Sequence, residues 1–203
     1  MIKGLIHDWD GTIYDSMDVV LRTYSVISGR TVENLRKFYS PDWKKFQREA
    51  KIPDYTNEEW CRIFREQSKS SRLFSGSRGY LQKIKRDGKR LVLATSADLT
   101  RLKNDLAKTK LNGIFDLAVT LEDVKEIKPN PECLEVAVRK LNAAVEDCAY
   151  VGDTVEDALA ARTIEMKFIG VGWGYNSPEA IRKINGDEVA SNFDELYDIV
   201  RNL

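Results

Sequence analysis

Two carboxylates, Asp8 and Asp10, stand either side of Trp9 in HDWDGT, at the end of a short apolar run. On extended backbone, residues two apart point to the same side, so both acids can converge on one point. A second acidic pair, Asp153 and Asp157 in GDTVED, is four residues apart. If a helix starts near Asp153, this pair shares the face of its first turn, close to the positive end of the helix dipole. Carboxylates gathered in this way repel one another and resist ionisation unless a cation lies among them. The candidate donors are all oxygens, which favours a hard ion, with Mg²⁺ the first choice. Thr95-Ser96 and Lys128 of KPNP add hydroxyls and a positive charge, suited to an anion beside the metal. Acids, metal, lysine and hydroxyl together are the parts of a phosphoryl-transfer site, where catalysis is mostly positioning and charge neutralisation.

Taken singly, each part has a structural reading. DxDGT is turn-forming, acids start helices, and KPNP reads as a loop before a proline-started helix. What argues for a site is their placement. Five apolar runs read as buried strands: GLIH (4–7), RLVLA (90–94), LAVT (117–120), CAYV (148–151) and KFIGV (167–171). Helical patterns such as SRGYLQKIKRDGK and PECLEVAVRKLNAA precede the later ones. This alternation predicts an α/β fold, a Rossmann-like parallel sheet of about five or six strands covered by helices on both faces. Ligands of such sheets bind outside the carboxyl ends of the strands, and that is where each polar cluster falls. The tail VASNFDELYDIVRNL reads as a short edge strand and a closing helix.

About eighty residues between the first two runs carry helical spacing and no strand signal. This interval predicts a small all-α domain inserted after the first strand, over residues 16–75, leaving 1–15 and 76–203 as the core domain. Within the insert, SPDWKKFQRE offers Trp43 and Lys44 as substrate-contacting positions, and in the core Trp9 offers to narrow the pocket. The lone histidine, His7, is one residue out of phase with Asp8 and is expected to be structural.

The 203 residues carry 32 Lys+Arg against 32 Asp+Glu, so the formal net charge is zero. That balance argues against a nucleic-acid or membrane surface, each of which needs a basic excess. Cys61, Cys133 and Cys148 form no CxxC pair, consistent with a reduced setting. With no long apolar stretch and no leader pattern, the expectation is a cytoplasmic soluble protein, a monomer or homodimer.

The ordered set DWDGT, LATS, KPNP and GDTVED resembles the haloacid-dehalogenase-like hydrolase superfamily over residues 1 to about 176. The helical insert, FSGSRGYLQKIKRDGKRLVLAT and the WGY after the last core strand are similar to its phosphoglycolate-phosphatase-like branch, whose cap is of the small helical C1 type. The resemblance implies that Asp8 is a nucleophile forming an aspartyl-phosphate and that Asp10 is the general acid, then base. It implies that Thr95, Ser96 and Lys128 hold the phosphoryl group, with Lys128 preferred over Lys125 for the Pro-Asn-Pro that follows it. Mg²⁺ would be bound by Asp8, the Asp10 main-chain carbonyl and Asp153, with Asp157 a ligand or an anchor. The implied substrate is a small phosphorylated metabolite such as phosphoglycolate. A sugar phosphomutase, a pyrophosphatase or a nucleotidase of the same superfamily are alternatives. A phospho-accepting receiver module is the rival from another class, though the DxDGT pair and the insert argue against it.

Overall fold

The computed structural model describes residues 2–39, 43–68, 72–185 and 188–203. Strand β1 (Gly4–His7) is followed by β2 (Tyr14–Asp15) and by helices α1 (Met17–Ser28), α2 (Val32–Arg36), α3 (Trp43–Glu49) and α4 (Asn57–Gln67). Strand β3 (Arg72–Leu73) pairs with β2 and closes this interval. From there helices and strands alternate: α5 (Ser77–Arg86), β4 (Arg90–Ala94), α6 (Leu99–Lys108), β5 (Leu117–Val119), α7 (Glu132–Leu141) and β6 (Cys148–Gly152). The chain continues through α8 (Val155–Thr163), β7 (Lys167–Val171), α9 (Pro178–Asn185), β8 (Val189–Ala190) and α10 (Phe193–Arg201).

Six strands form one sheet in the order β5-β4-β1-β6-β7-β8, and every pairing in it is parallel. All four residues of β1 are buried, because β1 lies between β4 and β6 and both sheet faces are covered. The period-two alternation of the strands sorts their side chains into two cores. Leu91 and Leu93 join Leu5, Tyr80 and Leu196 on one face, while Val92 and Ala94 join Ile6, Leu134 and Phe168 on the other. The order reverses about β1: the chain builds outward through β4 and β5 on one side, then returns to β6 and builds outward through β7 and β8 on the other. Such a switch point opens a crevice at the carboxyl ends of the strands. Register brings those ends level: His7 pairs with Leu93 on one side and Val151 on the other.

The chain divides into two compact units, Met1–Tyr14 with Leu73–Leu203, and Asp15–Arg72. Among its described residues the second unit has only helices for regular structure apart from its ends. Leu21, Leu35, Phe46 and Phe64 are fully or almost fully buried in it, and Tyr24 packs edge-on against Phe46 at 5.3 Å. Thr31 and Thr56 accept from main-chain N–H groups at the starts of α2 and α4, satisfying donors those helix ends would otherwise leave open. Among the described residues no helix is long and apolar enough to cross a membrane.

His7 is buried, with Nε2 2.9 Å from the Tyr80 hydroxyl and its ring edge-on to Tyr80 and Phe115. It belongs to the core face opposite the acids. Burial pushes its pKa down to about 3, outweighing the backbone hydrogen bonds that favour the proton. The unfolded chain binds this proton below about pH 6.5 and the folded chain does not, so stability falls as pH drops from 6.5 toward 3. Against a His7→Gln variant, the wild type is expected to lose roughly 2 kcal/mol more between pH 7 and pH 5 in urea unfolding. Equal losses would contradict a neutral buried imidazole.

Candidate active site

The carboxyl ends of β1, β4 and β6 carry the polar side chains the sequence singles out. Asp8 directly follows β1, and its N–H donates to Val151 O at 2.9 Å, extending the ladder one residue. Asp153 directly follows β6, and Asp157 lies in the first turn of α8. One carboxylate oxygen of each of Asp8, Asp153 and Asp157 lies within 4.8 Å of the others, and all three residues are buried. Lys128 reaches this group from the segment before α7. Its ammonium donates to Asp8 Oδ1 and to Asp157 Oδ1, both at 2.6 Å, and to the Tyr150 hydroxyl at 3.0 Å. Lys125, the rival, is exposed, and its main-chain N–H is tied to Glu132.

The electrostatics follow from three buried acids sharing one lysine. Burial, only partly offset by Lys128, holds the Asp8 carboxyl well above the usual carboxylate range. Burial and the charges of Asp8 and Asp157 likewise raise Asp153. For Asp157, burial is outweighed by Lys128 and the hydroxyls around it, so its pKa is lowered. Three carboxylates against one ammonium leave two negative charges, the amount a divalent cation neutralises. Among the described residues no lysine or arginine pairs with Asp153, whose oxygens accept only from the Thr12 hydroxyl and the Tyr175 N–H, both at 2.7 Å. A buried, all-oxygen donor set short of positive charge fits a hard divalent ion such as Mg²⁺.

Local structure explains why these side chains stand where they do. Residues 9–14 form a closed loop in which the N–H groups of Ile13 and Tyr14 both donate to Trp9 O. Gly11, inside this loop, has φ +81, and a β-carbon there would lie 2.2 Å from Asp153 Oδ2. Only glycine satisfies both the left-handed backbone and the close approach of the acid. Asp157 forms a reciprocal capping box with Thr154 at the start of α8, and its Oδ2 also accepts from the Asp153 N–H at 3.2 Å. The loop after β7 completes the enclosure. Gly174 lets the main chain pass close to Asp153, the Asn176 side chain accepts from Val155 N–H at 2.9 Å, and Trp173 donates to Thr12 O at 3.0 Å.

The other expected site residues are distributed unevenly. Thr95 is buried past the end of β4, its hydroxyl accepting from Ala97 N–H at 3.1 Å, while Ser96 is exposed. Asp10 is not grouped with the other three acids but is ion-paired with Arg101 of α6. Trp9 is 0% exposed, stacked on Tyr14 at 5.0 Å, with its indole N–H on Asp105 at 3.3 Å. The expectation that Trp9 shapes a pocket therefore gives way to a core position, because the alternation that aims Asp8 outward turns Trp9 inward. In the helical unit Lys44 is exposed on α3, and the Trp43 side chain lies outside the described residues.

Residues to which the sequence reading gave no part in the site are Thr12, Tyr150, Arg101, Asp105 and the loop Trp173–Asn176, whose WGY entered only through the family resemblance. Thr12 stood within the DGT motif itself. The Arg101 and Asp105 pair has the four-residue spacing of a helical ion pair, which in sequence reads as a solvated surface pair.

Residues 5–171 match the family described as haloacid dehalogenase-like hydrolase, and the chain belongs to that family. A pyrophosphatase PpaX of Listeria monocytogenes is 24% identical over 213 residues, covering 99% of this chain and 97% of that protein. Among solved structures, a predicted phosphatase from Clostridium acetobutylicum superposes with a TM-score of 0.81 at 24% identity, over 100% of both chains. A hydrolase from Pseudomonas syringae gives 0.81 at 21% identity, over 99% of both. At these identities the structural likeness speaks for the fold.

Proposed function

We propose that this hydrolase is a Mg²⁺-dependent phosphatase acting on a small phosphomonoester, of which phosphoglycolate is representative. The observation that carries this reading is the Lys128 ammonium held 2.6 Å from an oxygen of Asp8, among further buried acids at the carboxyl edge of the sheet. In this mechanism an Asp8 oxygen attacks phosphorus, and the bond to the leaving alcohol breaks. The alcohol oxygen takes a proton from Asp10. Asp10 then takes a proton from water, whose oxygen attacks the aspartyl-phosphate, releasing phosphate and restoring Asp8. Lys128 offsets charge on Asp8 and the phosphoryl oxygens, and the Thr95 hydroxyl is the group to orient them. Asp8 and Asp153 would hold Mg²⁺ together with the Asp10 main-chain carbonyl, and Asp157 would act as a ligand or by fixing Lys128. When bound, the ion supplies charge neutralisation for the transferring phosphoryl group. The helical unit, residues 15–72, would serve as a cap, with Trp43, Lys44 and Ser96 as candidate substrate contacts.

The PpaX relative supports a second reading, a pyrophosphatase, in which phosphate itself is the leaving group. A panel of phosphoglycolate, sugar phosphates, nucleoside monophosphates and pyrophosphate, run with Mg²⁺ and with chelator, separates the two. Mg²⁺-dependent release from a monoester above all others is the expected result. Dominant pyrophosphate hydrolysis would select the second reading, and uniform inactivity would sink both.

A further inference from the structure

The Asp10 carboxylate does not stand free beside Asp8. Its Oδ1 accepts from Nη2 of Arg101, and Nε of the same guanidinium lies 3.4 Å from Asp105 Oδ2. Asp105 is in turn held by the Trp9 indole N–H at 3.3 Å and the Tyr14 hydroxyl at 3.1 Å. Trp9 and Tyr14 are the two ends of the closed loop that contains Asp10, stacked 17° from parallel. A continuous set of polar contacts therefore leaves the loop, crosses to α6 and returns to the same loop at Asp10. The Arg101 side chain is 4% exposed and that of Asp105 3%, whereas Asp10 remains 21% exposed. Arg101 is thus too enclosed to meet a substrate, and its contact with the reacting atoms runs through Asp10.

We propose that Arg101 is a positioning residue that fixes the Asp10 carboxylate for proton transfer, and that Asp105, Trp9 and Tyr14 hold Arg101 in place for it. This inference rests on the phosphatase reading above. With Oδ1 bound to Arg101, Oδ2 is the oxygen that gives its proton to the leaving alcohol and later takes one from the attacking water. A planar guanidinium meets two carboxylates through two nitrogens held at a fixed separation, which an ammonium on a flexible stem does not reproduce. Holding a proton-transfer group in its productive geometry contributes rate without touching substrate affinity.

The consequence depends on the leaving group. A benzyl alkoxide needs the proton from Asp10, whereas 4-nitrophenolate leaves as a stable anion and does not. In Arg101→Lys, kcat for benzyl phosphate is expected to fall about a hundredfold with KM nearly unchanged. On 4-nitrophenyl phosphate the same variant is expected to give a stoichiometric burst of nitrophenolate at a rate within about fivefold of wild type. A slow steady state follows the burst, because water activation still needs Asp10. Equal loss on both esters without a burst, or no loss on benzyl phosphate, would overturn the proposal, since a purely structural pair has no reason to sense the leaving group. Should Arg101→Lys fail to fold in a thermal melt, Trp9→Phe carries the test. It removes one hydrogen bond to Asp105 and should give the same split in smaller degree, and its absence there overturns the proposal equally. A wild type active on neither ester would instead bring down the phosphatase reading, and this proposal with it.

Discussion

An Asp8→Asn protein is expected to fold, to bind phosphate esters and to release no phosphate. The amide has the shape of the carboxylate but lacks the nucleophilic oxygen, so no acyl phosphate forms. The fall in kcat should be at least about 10⁴-fold, the scale on which removal of an enzymatic nucleophile is felt. Folding should survive because Asp8 is one of three mutually repelling buried acids, and its charge raises Asp153. Lys128 keeps Asp157 and the Tyr150 hydroxyl as partners, so no buried cation is left alone. Two measurements check this: phosphate release from a good substrate with Mg²⁺, and mass spectrometry of acid-quenched protein for a phosphoryl adduct. Mg²⁺-dependent turnover by the variant would refute Asp8 as nucleophile.

Asp153→Asn should separate stability from activity. Burial and two neighbouring carboxylates raise the Asp153 pKa, so its ionised form opposes folding when no metal is present. That cost sets in above the unfolded carboxylate pKa, grows as pH rises toward the raised folded value, and shrinks again as pH falls from there toward the unfolded one. The metal-free variant is therefore expected to melt a few degrees above wild type near pH 8, with the gap narrowing toward pH 5. Its hydrogen bonds can be kept, since the amide oxygen can accept from Tyr175 and the Thr12 hydroxyl can turn to accept from the amide. Mg²⁺ should reverse the ranking. Wild type gains roughly 3 kcal/mol at a hundredfold excess over Kd, and the variant, missing one buried anionic ligand, gains little and loses phosphatase activity. A wild type unmoved by Mg²⁺, or a variant that melts lower at every pH without metal, would contradict the assignment of Asp153 to a cation site.

Much of the fold was legible because its signals are local. Each buried run is short, apolar and bounded by turn residues, and the first four are followed by polar clusters, so strand and site could be read together. Lys128 was separable from Lys125 only through the Pro-Asn-Pro that follows it, and the structure puts Lys128, not Lys125, against the acids. Other partners carried no local signal. Tyr150 sits in the apolar run CAYVG and counts as a strand aromatic until its hydroxyl meets Asp157. Arg101 and Asp105 look like a solvated helical pair until α6 buries them beside the loop of residues 9–14.

The residues by themselves determined the alternation of strands and helices, the two-residue spacing of Asp8 and Asp10, and the order of polar clusters at strand ends. These follow from backbone geometry and side-chain periodicity within a few residues. Tertiary structure alone decided which of those groups meet. Thr12 binds Asp153 across 141 residues of chain and Arg101 binds Asp10 across 91, pairings set by strand order and register. The same packing turned Trp9 from a candidate pocket wall into a buried support for Asp105, because on a covered parallel sheet the neighbours of a side chain come from adjacent strands and helices.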